Sequence, residues 1–184
     1  DADPLTQGKY RDEFEQKFSN FHNIEHSFSL CNATAGLELA AQMCLFNKGD
    51  EVIIPGHTFT PSAYPFLKNG AKIVWADIDL KTRVVNAESI SRLITKNTKA
   101  IVVVHLYGYI ADMPEIANLA KMHNLILIED AAQAIGTEID DLKAGTFSDF
   151  GIYSFHSHKN ITTLGEGGMI TVKDKKYADI IPML

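Results

Sequence analysis

The stretch AIVVVHLYGYIADMPEIANLAKMHNLILIED, residues 100–130, decides the fold class. Its two ends, 100–105 and 125–129, are apolar runs of the length expected for strands that are buried on both faces. Between them Asp112 is placed to cap a helix, and Asn124 is placed to end it. A strand, a helix and a second strand in this order predict a parallel β-α-β unit.

The same alternation continues on both sides of this unit. Further strands are predicted at residues 28–31, 52–54, 73–75, 150–155 and 169–172. The spacing of apolar residues predicts helices around Tyr10, Phe14 and Phe18, over 34–46 and over 87–94. The sequence therefore predicts an α/β fold with a mainly parallel sheet of seven strands.

Three other segments depart from this regular pattern. Pro65 is predicted to kink a helix within residues 58–68. Residues 137–142 predict a tight hairpin. The last residues, 177–184, predict a helix that stops soon after it begins, and the first residue is not Met, so we expect the sequence to be a fragment.

Composition excludes several classes of protein. The chain has 184 residues, 46% apolar and 22% charged, which predicts one globular domain. Its 17 basic and 23 acidic residues leave a net charge of -6, which disfavours a nucleic-acid surface. No apolar run approaches the length of a membrane span. Cys31 and Cys44 are too few for a disulfide framework, so a cytoplasmic location is predicted.

Polar residues follow five of the predicted strands, at the edge where open α/β sheets bind ligands. We expect one cleft to be formed by segments 32–34, 56–59, 105–108, 130–133 and 154–159.

The turn 32–34 leads from a strand into a helix, where free backbone N–H groups and the helix dipole favour a phosphate. The alternative is that Asn32 or Thr34 only caps the helix. The turn lacks GxGxxG, and the glycine-rich segment 165–168 precedes a strand, so a nicotinamide dehydrogenase is disfavoured.

The other candidates each have two interpretations. Asp130 is either the partner of a cationic ligand atom or a turn cap, and Lys159 is either a reactive amine or a solvated lysine. Phe59 either stacks on a ring or packs in the core. His156 and His158 resemble a metal pair, but no third ligand is evident, so no metal site is predicted.

Taken together, these groups match the needs of pyridoxal 5'-phosphate (PLP). That cofactor requires a lysine for its Schiff base, an acid at the pyridine nitrogen, a phosphate cup and a flat side chain against the ring.

Five motifs carry a resemblance to a known family. In chain order they are CNATAGLELA (31–40), PGHTF (55–59), VVHLYG (103–108), IEDAAQAIG (128–136) and YSFHSHKNITTLGEGG (153–168). They resemble the sugar aminotransferases of the DegT, DnrJ, EryC1 and StrS family, which are fold-type I PLP enzymes. The resemblance covers nearly the whole chain.

The resemblance implies a three-layer α/β sandwich and a role for each candidate residue. Lys159 would form the internal aldimine, Asp130 would pair with the pyridine nitrogen, and Gln133 would lie near the ring hydroxyl. Phe59 would cover the ring face. The phosphate would be held by Ala33, Thr34 and Ser154.

The implied activity is transfer of an amino group, usually from glutamate, to a nucleotide-linked keto-deoxy sugar. The family also implies a homodimer with a shared active site. By the same resemblance residues 1–184 would be a PLP-binding large domain, truncated before a small C-terminal domain. The alternatives are a non-catalytic binding module, or a dehydratase or synthase of the same family. Family dehydratases carry a histidine at the position of Lys159.

Overall fold

The computed structural model describes residues 8–184 of the chain. The helices are α1 (Lys9–His22), α2 (Ala33–Met43), α3 (Tyr64–Lys68), α4 (Ala87–Ser91), α5 (Met113–Met122) and α6 (Lys175–Ala178). The strands are β1 (His26–Leu30), β2 (Glu51–Pro55), β3 (Lys72–Ala76), β4 (Thr98–Val104), β5 (Ile126–Asp130), β6 (Glu138–Ile139), β7 (Leu142–Lys143), β8 (Phe150–Ser154) and β9 (Gly168–Val172). Single 3-10 turns lie at Thr60–Ser62, Leu106–Gly108 and Ile181–Met183.

Seven strands form one sheet in the order β1-β9-β8-β5-β4-β2-β3. The pairs from β8 to β3 are all parallel, whereas β9 is antiparallel to both of its neighbours. Strand β1 therefore runs in the same direction as β8, and β9 is the one reversed strand of this sheet. The predicted mainly parallel sheet of seven strands is confirmed.

Helices cover both faces of this sheet, as a three-layer sandwich requires. Ile152 and Tyr153 are neighbours in β8, so their side chains point to opposite faces. Gly36 of α2 lies against the Ile152 side chain, whereas the Phe18 ring of α1 lies 4.9 Å from the Tyr153 ring. Helices α1 and α2 therefore occupy opposite layers.

The central strands are buried along their whole length, which explains their unbroken apolar sequences. Every residue of β2, β8 and β9 is buried. Their sequences are strongly apolar because helices cover both faces of the sheet at these strands.

Three predicted helices differ from the observed ones. Helix α4 ends at Ser91 rather than at residue 94. Helix α2 ends at Met43 rather than at residue 46, because Leu45 adopts a left-handed backbone (φ 49°) and its side chain is 77% exposed. Pro65 does not kink a helix. It lies in the first turn of the separate helix α3, where its missing N–H costs no hydrogen bond.

Helix α1 buries less of its aromatic stripe than its spacing predicts. Phe18 is buried, but Tyr10 is 64% exposed and Phe14 is 37% exposed. The buried surface of α1 is completed instead by Ser19 and His22. The four-residue spacing of the aromatic residues does not show which of them are buried. Tyr10 lies in the first turn of α1 and is exposed.

The predicted hairpin is confirmed as the two-stranded pair β6 and β7. Its two turn residues, Asp140 and Asp141, both have positive φ, at 51° and 63°. This is the turn geometry whose twist matches that of the flanking strands.

The carboxyl ends of β1 and β8 meet at Gly168, the first residue of the reversed strand β9. Leu30 and Ser154 are both register partners of Gly168. A Cβ at Gly168 would lie 2.5 Å from the carbonyl carbon of Asn32 and 2.7 Å from the nitrogen of Ala33. The turn into α2 therefore packs directly on the start of β9, at the edge where β5 and β8 also end.

Candidate active site

One cavity of about 500 Å³ lies at this edge of the sheet. All seven residues predicted for the site line it, namely Ala33, Thr34, Phe59, Asp130, Gln133, Ser154 and Lys159. The cavity also has walls from the loops after β2 and β4, through Ser62, Val104, His105 and Leu106. The expectation of a single cleft is therefore confirmed.

At one end of the cavity lies the N-terminus of α2. The side chain of Asn32 caps this helix by accepting a hydrogen bond from Ala35 N–H at 2.9 Å. The first N–H groups of a helix have no partner within the helix, so those of Ala33 and Thr34 are available to an anion. The turn can therefore both cap the helix and bind a phosphate, because the Asn32 cap uses the N–H of Ala35 and not those of Ala33 and Thr34.

Ser154 ends β8 beside this helix terminus. Its Oγ accepts a long hydrogen bond of 3.4 Å from His156 N–H, which leaves its own hydroxyl hydrogen free to donate. A hydroxyl donor and a helix N-terminus together suit a phosphate group.

Asp130 is the last residue of β5 and is buried. Its Oδ1 accepts from Ala132 N–H at 3.1 Å, and its Oδ2 accepts from the Ser62 hydroxyl at 2.6 Å. Burial raises the pKa of Asp130, and these two hydrogen bonds offset part of the rise. A buried carboxylate of this kind is suited to pair with a cationic ring nitrogen.

Ser62 also lines the cavity, although no sequence motif points to it. It lies on the 3-10 turn after Phe59, and its hydroxyl in turn accepts a hydrogen bond of 2.7 Å from Thr58. Ser62 and Asp130 are separated by 68 positions in the chain. No local pattern signals such a contact; the one available clue is the group of hydroxyl residues around Phe59.

Gln133 is oriented by the loop that follows β4. Its Oε1 accepts a hydrogen bond of 2.7 Å from the backbone N–H of Tyr107, a residue whose φ of 56° is left-handed. Because the amide oxygen is used in this way, the amide NH₂ remains as the donor for a ligand. Left-handed backbone at an aromatic residue is costly and is often found at functional sites.

Phe59 does not belong to the core. Its side chain is 71% exposed, and it lines the cavity. Of its two interpretations, a ring at the wall of a ligand site fits the structure, and a core residue does not.

Lys159 lies in the turn after β8, where its backbone N–H donates to the His156 carbonyl at 2.9 Å. Its positive charge acts on Asp130 to lower the pKa of that carboxyl. Within residues 8–184 its amine makes no salt bridge, unlike a lysine held in a surface ion pair.

Both ring nitrogens of His156 have contacts within its own loop. Nδ1 of His156 accepts from the backbone N–H of His158 at 3.2 Å, and its Nε2 lies 3.4 Å from Glu166. In the part of the chain that the structure describes, no group of three or more His, Cys, Asp or Glu side chains is placed to hold a metal ion.

At the wall of the cavity a fully buried pair joins His105, the residue after β4, to Glu129 of β5. Nδ1 of His105 accepts from Ala111 N–H, so the ring proton is assigned to Nε2, which donates to Glu129 at 2.9 Å. Burial raises the pKa of Glu129, but hydrogen bonds from His105, Gly145 and Ser148 outweigh it, and the pKa lies below its usual range. This network supports the end of β5 that carries Asp130.

The donor set of the cavity fits PLP. It combines an amine, a buried carboxylate, a helix N-terminus with a hydroxyl, an amide donor and an exposed aromatic ring. These correspond to the aldehyde, the pyridine nitrogen, the phosphate, the ring oxygen and the ring face of that cofactor.

Comparison with known proteins gives the same family as the sequence motifs. The model of the DegT/DnrJ/EryC1/StrS aminotransferase family matches residues 1–184. A GDP-perosamine synthase of Vibrio cholerae is 41% identical over 165 residues, which are 90% of this chain and 45% of that protein. The chain thus spans about half the length of the curated relatives it matches.

Solved structures agree in fold. The aminotransferase from Psychrobacter cryohalolentis superposes with a TM-score of 0.91 at 37% identity, covering 95% of this chain and 44% of its own. An E. coli GDP-4-keto-6-deoxy-D-mannose-3-dehydratase with bound hydrated PLP gives a TM-score of 0.90 at 28% identity, covering 96% and 47%. With a family model that matches its whole length, this chain belongs to the DegT/DnrJ/EryC1/StrS aminotransferase family.

Proposed function

We propose that this chain is the cofactor-binding large domain of a PLP-dependent aminotransferase acting on a nucleotide-linked keto-deoxy sugar. The observation that carries the proposal is the single cavity in which Lys159, Asp130 and the N-terminus of α2 come together. When bound, PLP supplies an electron-withdrawing ring that weakens the C–H bond beside a substrate amine.

In this proposal the α2 end of the cavity binds the phosphate. The backbone N–H groups of Ala33 and Thr34 and the Ser154 hydroxyl donate to its oxygens. The positive end of the helix dipole adds to their attraction. This end therefore sets the position of the cofactor along the cavity.

Asp130, Gln133 and Phe59 orient the ring. The buried carboxylate of Asp130 keeps the pyridine nitrogen protonated, and the Gln133 amide donates to the ring oxygen. Phe59 covers one face of the ring and excludes water from it.

Lys159 has two tasks. Its ε-amine would hold the cofactor at the aldehyde position. Once the amine of the donor occupies that position, the free ε-amine would carry a proton away from the donor Cα.

For the overall reaction we propose glutamate as the amino donor. Glutamate leaves as its 2-oxo acid, and the amino group replaces the keto oxygen of the sugar in the second half of the reaction. The sugar-nucleotide class is supported by the name of the GDP-perosamine synthase relative.

Two alternatives remain distinct from this proposal. A dehydratase is represented among the solved relatives. Lys159 favours transamination, because the resemblance implies a histidine at this position in family dehydratases. A non-catalytic binding module would keep the cavity but would not need a reactive amine at Lys159.

We also propose a homodimer that shares its active site. The support is a set of exposed aromatic side chains on the loops near the cavity, Phe59, Tyr107 and Tyr109, because exposed apolar patches mark interaction surfaces. Analytical ultracentrifugation measures the oligomeric state. A cytoplasmic location stays a prediction; in residues 8–184 no helix has the length and apolarity to cross a membrane.

The direct test is the site of cofactor attachment. The chain is incubated with PLP and reduced with borohydride, and the modified peptide is identified by mass spectrometry. We expect the label on Lys159 and its loss in Lys159→Ala, whereas the exposed Lys96→Ala keeps it. A label that persists in Lys159→Ala would refute the assignment.

Activity is tested separately with ¹⁵N-glutamate and nucleotide-linked keto sugars. Transfer of the label to the sugar supports the aminotransferase, and loss of water from the sugar without label supports the dehydratase. Cofactor attachment with neither reaction supports the binding module.

A further inference from the structure

We propose that Ser62 is a positioning residue for Asp130: its hydroxyl donates to the buried carboxylate and fixes its orientation, and it ties the turn that carries Phe59 to that carboxylate. This inference rests on the proposed function for the use that it gives to Asp130. The hydrogen-bond geometry from which it is drawn does not depend on that function.

The first step is the direction of the hydrogen bonds. Thr58 donates to the Ser62 oxygen at 2.7 Å, so the Ser62 hydrogen is directed to Oδ2 of Asp130, at 2.6 Å. This length is typical of an O–H donor on an ionised carboxylate. Hydroxyls arranged in a chain polarise one another, which strengthens the final bond.

The second step is the balance of charge at a buried carboxylate. Asp130 and Ser62 are 6% and 1% exposed, so water does not solvate either group well. Burial alone favours the protonated acid, which could not keep a pyridine nitrogen cationic. The groups that oppose burial are the Ser62 hydroxyl, Ala132 N–H and the positive charge of Lys159.

The third step is the shared turn. Ser62 ends the 3-10 turn Thr60–Ser62, and Phe59 is the residue immediately before that turn. Pro61 restricts the backbone between them. The hydrogen bond to Asp130 therefore anchors the segment that places the Phe59 ring beside the cavity.

The experiment measures the pKa of the Asp130 carboxyl in the cofactor-free chain by ¹³C NMR, with Asp130→Asn to assign the signal. We expect Ser62→Ala to raise this pKa by about one unit and to weaken PLP binding about threefold at a pH midway between the two values. Thr58→Val is expected to give a smaller rise, because it removes only the upstream donor.

Two further variants separate positioning from simple packing. Ser62→Thr keeps the hydroxyl and is expected to restore a pKa close to that of the unmodified chain. Ser91→Ala removes an exposed serine hydroxyl on α4 and is expected to change neither quantity. Circular dichroism checks that each variant is folded.

An unchanged pKa in folded Ser62→Ala would overturn the inference. If that variant does not fold, an unchanged pKa in Thr58→Val overturns it instead. Failure of the proposed function looks different: the unmodified chain would not bind PLP, while the pKa of Asp130 would still rise in Ser62→Ala.

Discussion

At the scale of single residues, the side chain of Gln133 binds the backbone of a neighbouring loop and also lines the cavity. Its amide oxygen holds the left-handed backbone of Tyr107, and its NH₂ is left for the cavity. The two functions use different atoms, so they can be separated by substitution.

We predict that Gln133→Glu retains stability and loses cofactor affinity. A carboxylate still accepts from Tyr107 N–H, so the free energy of unfolding in urea is expected to change by less than about 0.5 kcal/mol. The donor proposed for the ring oxygen is lost, and PLP binding is expected to weaken at least about tenfold, measured by fluorescence titration.

Gln133→Leu is the companion variant. It also removes the acceptor for Tyr107 N–H and is expected to destabilise the chain by about 1–2 kcal/mol. Equal stability of the two variants would show that the bond to Tyr107 contributes nothing.

At the scale of elements, α1 is held to the sheet by a buried histidine. The His22 ring stacks on Phe18 at 4.1 Å, lies 4.8 Å from Tyr153 and hydrogen-bonds through Nδ1 to the Phe18 carbonyl. Its Nε2 is buried with no hydrogen-bond partner in the described part of the chain. Burial lowers the pKa of His22 to about 4.

We predict that this histidine destabilises the fold in acid. A histidine of the unfolded chain has a pKa of about 6.5. Between that value and about 4, His22 is therefore protonated in the unfolded state and neutral in the folded state. Stability is therefore expected to fall as pH falls through this window, by up to about 3 kcal/mol.

The measurement is urea unfolding at several pH values between 7 and about 4. His22→Phe keeps an aromatic ring and is expected to flatten the pH dependence, whereas the exposed His123→Phe should leave it as it is. An unaltered slope in His22→Phe would assign the acid sensitivity to other groups.

At the scale of the whole molecule, the site depends on the contact between the start of β9 and the turn into α2. These segments are 136 positions apart, and only a residue without a side chain fits at Gly168, against Asn32 and Ala33. Gly168 of the glycine-rich segment 165–168 is thus required for close packing beneath the proposed phosphate site.

We predict that Gly168→Ala damages both stability and cofactor binding. The added methyl forces the turn away from β9, and the expected loss is about 1–3 kcal/mol in the free energy of unfolding. PLP affinity should fall with it. Gly165→Ala is the matched control, since no atom lies within 4 Å of a Cβ there, and unfolding together with PLP titration measures both.

Much of this architecture follows from local sequence. Strands such as β2 and β8 are recognisable from the sequence because both of their faces are buried and their residues are apolar. The side chains of Asn32, Asn86 and Asp112 cap helices by accepting a hydrogen bond from a backbone N–H, as expected for Asn and Asp at these positions. Strand ends differ from the prediction by one or two residues, because the last residues of a strand are defined by pairing with a neighbour rather than by apolar character.

The sequence by itself determined the seven strands, the family motifs and the candidate residues, because burial periodicity, capping and motif spacing are local properties of the chain. Tertiary structure alone decided the strand order with its reversed β9. It also decided the hydrogen bonds from Thr58 to Ser62 and from Ser62 to Asp130, and the hydrogen bond from Tyr107 N–H to Gln133. The physical reason is that each of these depends on segments brought together from distant positions, and no local propensity encodes which polar atoms then meet.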